Sequence, residues 1–421
     1  MNTSNNPTGR NGYGEKYYPP DDVLKKALRQ YSAERLTVAE KKLRLQLEHQ
    51  LEIGATNLWK LERKFEIPSV RRPPPPGVAT EHVLQIVKAD INQRRGTGTI
   101  GAILACQGVV LPRDFIRKVL RIHAPEGLDK CFPGSARTKR APLRALGPSH
   151  QFHADGHEKL NAQGLGMGGV GLNIYGIKDQ WSAYIVTLVV VPNNRLADTI
   201  GHVYLDMVEK RLSIPITMVT DKGSEVGYAI SLLTRLDFAY TPDADMTKYP
   251  PVVQIKSVHN TPIEGLWHCW LENMGHNLKD IIVAGYNSGI YHPGNPVHPQ
   301  LFNYLWPKAL QIQLDAFVMY WNNHCIRAQK KKANMSGSTP QHAFTAPDPA
   351  QAEDCAISVE QDVVNALRSQ IPTSRAESMR FVDDTFLEIA DQAYYAVGRP
   401  DLADVTQVWD IFTSMLPYIH V

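Results

Sequence analysis

AYIVTLVVVPNNRLADTIGHVYLDMVEKRLSIPITMVTD, residues 183–221, changes periodicity twice within one stretch. Ala183–Val191 is a β-branched, apolar run of the kind that forms a buried central strand. From Arg195 to Leu212 the apolar residues Leu196, Ile200, Val203, Tyr204, Met207 and Val208 recur at helical spacing, which predicts an amphipathic helix. Pro215–Thr220 returns to a strand-like run and ends at Asp221-Lys222-Gly223. A strand, a covering helix and a second strand are the elements of an α/β layer architecture. Upstream, Phe152–His157 and Gly171–Ile177 read as two further short strands. Downstream, a helix is expected at about 224–235, then the irregular stretch Asp243–Gln254. The next helix carries Ile263, Leu266, Trp267 and Trp270 at i, i+3, i+4 and i+7. Residues 300–327 are helical and rich in aromatics, and 356–421 read as a small helical appendix.

Toward the N-terminus the reading is helical. Residues 1–20 have a disordered composition, rich in Asn, Gly, Pro and Tyr. A helix is expected from Asp21 and another from Thr37, with Leu43, Leu47 and Leu51 on one face and a break at Gly54. This helical segment spans 21–70. Arg71-Arg72-Pro73-Pro74-Pro75-Pro76-Gly77 stops it, predicting a stiff linker over 71–79. The unit at 80–146 contains helices at about 80–93, 99–107 and 112–123, with a turn at Gln107-Gly108-Val109. A short helix, a Gly turn and a helix carrying Arg113, Arg117, Lys118 and Arg121 read as helix-turn-helix, with those four cations as candidate DNA contacts. An ordinary three-helix bundle with a solvated basic face is the plainer alternative. Arg137-Thr138-Lys139-Arg140 is a linker, a phosphate contact or a nuclear signal.

Composition narrows the function classes. At 421 residues with 43% apolar and 21% charged residues, the chain has room for several folded units. No apolar run is long enough to span a bilayer, and the first residues lack the apolar core of a secretory signal. Cys106, Cys131, Cys269, Cys325 and Cys355 show no CxxC spacing, so neither a disulfide framework nor a cysteine zinc site is expected. The net charge of +3 hides an asymmetry: residues 1–146 hold 26 Lys and Arg against 14 Asp and Glu, and 346–421 hold 4 against 13. A basic first third suits an anionic polymer.

Three carboxylates occupy chemically suggestive places: Asp155 in the first strand, Asp221 at the end of the fourth, and Glu264 in the later helix. Attack on a phosphodiester needs charge neutralisation around phosphorus, which two Mg²⁺ (or Mn²⁺) ions held by converging carboxylates supply. Each acid has an ordinary alternative. Asp155 could shape a turn before Gly156, and Asp221 could cap a helix. Glu264 could close a capping box with Thr261 as N-cap and Pro262 at N1. A zinc reading of His153-Ala154-Asp155-Gly156-His157, whose alternate side chains share one strand face, also stands. Lys222, His259 and Asn260 are candidate DNA or phosphate contacts, and Lys330, Lys331 and Lys332 form a cationic run. Trp267, Trp270 and Trp321 read as core.

The stretches FHADGHEKL, VTDKGSEVGYA and SVHNTPIEGLWHCW, with YWNNHCIRAQKKKANMSGSTPQHAF, resemble the integrase core domain of eukaryotic transposon-derived proteins, relatives of retroviral integrases and DDE transposases. The resemblance covers roughly 80–345. It implies a ribonuclease H-like mixed sheet flanked by helices over 147–345, preceded by the helix-turn-helix region and followed by the acidic helical region 346–421. It implies that Asp155, Asp221 and Glu264 are the metal-binding triad of a nuclear DNA strand-transfer enzyme acting on transposon ends and target DNA. Homo-oligomerisation follows from the same resemblance, and no membrane association is expected from the lack of a long apolar run. A host-adopted, non-catalytic DNA binder and a ribonuclease H-type nuclease are the alternatives. Gly265 and the Thr261-Pro262 pair depart from the relatives' pattern, which bears on substrate grip.

Overall fold

Strands form close to the three places expected in this part of the chain: β1 (Gln151–His157), β2 (Asn173–Asp179) and the β-branched run β3 (Ile185–Val191). The helix Ala197–Arg211 then crosses to a two-residue strand β4 (Ser213–Ile214) and to β5 (Thr217–Asp221). The computed structural model describes residues 17–91, 94–124, 144–221, 248–329 and 332–420. The expected helix at 224–235, Arg137–Arg140, Lys222, Lys330 and Lys331 lie outside these residues, as do the first sixteen.

The main sheet has five strands in the order β3-β2-β1-β5-β6, with β6 at Val252–Ile255. β1–β2 and β2–β3 are antiparallel; β1–β5 and β5–β6 are parallel. This is the mixed sheet, flanked by helices, that the resemblance implied. Two details differ from the sequence reading. β6 falls inside the stretch expected to be irregular. It is four residues long and follows Pro250-Pro251, so it offers too short a pattern to be seen.

The second correction concerns β3, which is an edge strand and not a central one. Its apolar run is accounted for by the helix Val297–Asn323, which covers it. Two amides of that helix also bond the strand's outer backbone groups. Gln311 accepts from Val190 N–H at 3.0 Å and donates to Leu188 C=O at 3.2 Å. Asn322 accepts from Ile185 N–H at 2.8 Å and donates to Ile185 C=O at 3.1 Å. The step of eleven residues from one amide to the other rises about 16 Å along a helix, and the strand advances about 17 Å from residue 185 to 190. The match lets one helix cap an open sheet edge that would otherwise invite strand addition.

The C-terminal region contributes to the core and is not an appendix beside it. Phe386, Ala390, Trp409 and Phe412 join Trp267, Trp270, Phe302 and Trp306 in one apolar cluster. Val364, Leu367 and Ile371 join Phe152, Met218 and the inner face of Ala197–Arg211 in another. A strand β7 (Ile357–Ser358) pairs with β4. Most acidic residues of this region are exposed, and its cations Arg368 and Arg375 bind Asp206 of the helix Ala197–Arg211 at 2.8 and 2.9 Å.

The N-terminal helices are Asp21–Ala33, Val38–His49 and Ala55–Lys64, packed around Leu24, Leu28, Leu45 and Leu58. Thr37 caps the second through a reciprocal capping box with Glu40. The expected Leu43–Leu47–Leu51 face is not a single face. Leu43 and Leu47 are exposed, and Arg44 and Leu45 turn inward, where buried Arg44 pairs with Glu34 at 3.0 Å. The following unit holds the helices Pro76–Lys88, Thr97–Cys106 and Arg113–His123 around Val83, Leu104, Ile116 and Leu120. Its first helix begins inside the proline run, since a proline in the first turn gives up an N–H that has no helical partner anyway. Gly108, at φ +80°, makes the turn before the basic helix. This unit contacts the core where Arg95 Nε donates to Asn273 C=O at 3.0 Å and Arg94 pairs with Glu272 at 2.5 Å. Among the described residues, no helix is long and apolar enough to cross a membrane.

Candidate functional site

Parallel pairing sets Gln151 against Thr217, Phe152 against Met218 and His153 against Val219. Two residues beyond the last of these pairs stand Asp155 on β1 and Asp221 at the end of β5, on neighbouring strands of the sheet. Asp155 lies within β1, opposite Gly176 of β2, and so shapes no turn. Glu264 comes from the first turn of the helix Thr261–Trp270, which packs against β1 and β2. All three acids line one polar cavity of about 670 Å³, together with Glu158, Trp267 and His268.

Four contacts seat that helix on the sheet. Trp267 Nε1 donates to Asp155 Oδ2 at 3.0 Å. Gly176 makes room for the indole: a Cβ there would come within 2.6 Å of the Trp267 ring. Lys178 Nζ, buried on β2, donates to Pro262 C=O at 3.1 Å and lies 4.9 Å from the Trp321 ring centre. Asn260, at the N-cap position, is turned into the protein: its Nδ2 donates to Ala154 C=O at 3.1 Å and its Oδ1 meets His153 Nδ1 at 2.7 Å. Because Asn260 is the cap residue, Thr261 and Pro262 fall inside the first turn. No capping box forms; Glu264 instead accepts from Ser257 Oγ at 3.1 Å. That leaves its carboxylate exposed at the cavity.

The electrostatics mark the acids as crowded. The Asp155 carboxyl is pushed up to about 7, first by burial and then by the negative charges of Asp221 and Glu264, against the opposing hydrogen bond from Trp267. Asp221 is also raised, by burial and by Glu158. Among the described residues none of the three acids has an ion-pair partner, while Glu158 is held by Arg195 at 2.8 Å. No group of three or more His, Cys, Asp or Glu among the described residues is gathered so as to hold a metal ion. Of the two histidines of the zinc reading, His153 is otherwise engaged, while His157 Nε2 is buried without a hydrogen-bond partner among the described residues. His153 is bonded at both ring nitrogens, to Asn260 and to Gln180 Oε1 at 2.6 Å. His157 is wedged between Trp267 and Trp270, with ring centres 4.9 and 5.0 Å away.

The remaining candidates divide by exposure. His259 is exposed beside the helix start, whereas Asn260 is 1% exposed with both amide atoms bonded internally and offers nothing to DNA as placed. Its burial follows from the buried His153, which needs a polar partner. Arg113, Lys118 and Arg121 are exposed on the basic helix, and Arg117 bonds Asp114 at 3.4 Å. Arg117, Lys118 and Arg121 together line a shallow depression. Lys332 is exposed. Gly265 is exposed, and an added Cβ there meets nothing within 4 Å, so packing does not require the glycine.

Trp267 is the site residue that sequence reading assigned to the core alone. It does bury its rings, yet it stands one turn after Glu264, on the same side of the helix, and that spacing was the available signal. Residues 144–344 match the family described as Integrase core domain. No curated protein matches the chain.

Proposed function

We propose, from the match of residues 144–344 to the integrase core domain family, that the chain is a transposon-type integrase or transposase, joining DNA ends to target DNA by phosphodiester transfer. The observation that carries this reading is the meeting of Asp155, Asp221 and Glu264, from two strands and a helix, on one polar cavity.

The donor set suits Mg²⁺ or Mn²⁺. Hard carboxylate oxygens are the preferred ligands, and such ions keep several waters and take only one or two carboxylates each. Three crowded acids without cationic partners among the described residues therefore suit a pair of ions better than a single closed cage. Asp155, Asp221 and Glu264 would together hold the ions, as the acids that line the one cavity. When bound, the ions supply the positive charge that activates the attacking oxygen and stabilises the leaving one. Trp267 fixes the orientation of the Asp155 carboxylate, and Ser257 that of Glu264. The exposed cations Arg113, Lys118 and Arg121, with Arg117, provide the sequence-independent grip on phosphates. Nuclear residence and self-association to pair two DNA ends complete the proposal.

The test is end joining by the full chain with labelled duplexes and a supercoiled plasmid in Mg²⁺ or Mn²⁺, with an RNA–DNA hybrid as a control substrate. Asp155→Asn, Asp221→Asn and Glu264→Gln are each expected to lower joining by about 100-fold or more while leaving DNA affinity nearly unchanged. A wild type that binds DNA as well as Asp155→Asn but joins nothing would establish a DNA-binding protein instead. Preferential hybrid cleavage would establish a nuclease.

A further inference from the structure

We propose that a second compartment beside the acids accepts an unpaired nucleobase next to the reacting phosphate, with Asn194 as its reading group. This rests on the strand-transfer reading for its substrate class. The compartment has a volume of about 330 Å³ and shares Glu158, Asn194 and Arg195 with the acid cavity. That volume is at the lower end of the range of about 300–1,000 Å³ found for small-ligand sites.

Asn194 carries the inference. It is 6% exposed, lines both compartments and has no hydrogen-bond partner among the described residues. Its amide atoms keep contact with solvent at the compartment walls, so donor and acceptor are both available to what enters. Gly156, next to Asp155, is what admits it: a Cβ at 156 would stand 2.6 Å from Asn194 Nδ2.

The walls specify the ligand. Asn161, Gln163, Asn173 and Asn303 add further amides, and Phe381 adds an apolar surface. The one cation among the described lining residues, Arg195, is held by Glu158. A phosphate asks for donors and positive charge; a base edge asks for adjacent donors and acceptors plus a flat apolar contact, which amides and an aromatic ring provide. The neutral, amide-lined compartment fits the base, and the acid cavity beside it fits the phosphate.

The experiment uses the full chain and two mixed-sequence duplexes in Mg²⁺, one blunt and one with a short overhang carrying 2-aminopurine at the first unpaired position. Wild type is expected to bind the overhang duplex about five-fold more tightly than the blunt one, as for one good hydrogen-bonded contact, and to change the 2-aminopurine fluorescence. Asn194→Ala should bring overhang affinity down to the blunt value. Gly156→Ala, which displaces the amide without removing it, should do the same, with thermal unfolding of both variants close to wild type. Equal affinity for the two duplexes in wild type, or an unchanged preference in Asn194→Ala, overturns the proposal. End joining is read separately. Loss of joining with a retained, Asn194-dependent preference sinks the enzymatic reading alone; joining without any preference sinks the base pocket alone.

Discussion

Trp267 donates its indole N–H to the Asp155 carboxylate at 3.0 Å, so the helix that bears Glu264 also holds the acid of the central strand. The bond couples two of the three acids through one side chain, and Gly176 beneath the ring makes the approach possible. Trp267→Phe keeps most of the buried ring and deletes the donor. Removing a partner that orients a metal ligand typically costs about 10–100-fold, and end joining is expected to fall by that factor with Tm little changed. Comparison of joining rates and thermal unfolding checks it; a variant with wild-type rates shows that Asp155 orients itself.

The His153–Asn260 contact makes a stability prediction independent of catalysis. Asn260→Ala leaves His153 Nδ1 and Ala154 C=O without partners in a buried place. Each buried unmade hydrogen bond costs about 1–3 kcal/mol, so the variant should lose roughly 2–4 kcal/mol in urea unfolding. A loss below about 0.5 kcal/mol, the range of ordinary surface changes, would mean that the contact is dispensable.

Two of the candidate acids carry a local mark, an element end or a helix face that a sequence pattern defines, whereas Asp155 lies inside β1. Asp221 ends an apolar run, and Glu264 precedes a helical Trp pair. The contacts that hold them were not legible. His153 and Asn260 are 107 residues apart, and no local pattern links them. The rank of β3 in the sheet was misread for a related reason: an edge strand roofed by a helix needs the same apolar residues as a central one. Gln311 and Asn322, which bond its outer edge, look like ordinary polar helix positions. In the C-terminal region the outward acidic charge is the obvious signal, while Phe386, Trp409 and Phe412 on the inner side show their purpose only once Val297–Asn323 lies against them.

That packing predicts what the region is for. Trp409 lies within about 6 Å of the rings of Trp306, Phe302, Tyr291 and Phe412, and its Nε1 donates to Ile281 C=O at 2.9 Å. Trp409→Ala should cost about 3–5 kcal/mol by chemical unfolding. A chain ending after Thr345 would expose the apolar side of Val297–Asn323 and is expected to be insoluble. A soluble, cooperatively unfolding 1–345 fragment would return the region to the status of an appendix.

Asp179 predicts a pH dependence away from the acid cavity. It is fully buried, and its carboxylate accepts from Ser149 N–H at 3.0 Å, Ser182 N–H at 2.7 Å and Ser182 Oγ at 2.6 Å. Burial still outweighs these donors and pushes its pKa up to about 6. In the unfolded chain the group ionises near its ordinary value of about 3.9. Between about pH 4 and 6 the folded state therefore binds the extra proton, and stability falls as pH rises through that window, levelling off above it. A shift of this size corresponds to roughly 1–3 kcal/mol. Asp179→Asn does not titrate, so the wild-type advantage over it in urea unfolding should be larger at pH 4 than at pH 7 by that amount. A difference that stays constant from pH 4 to 7 would mean that Asp179 is ionised throughout, with its three donors outweighing the cost of burial.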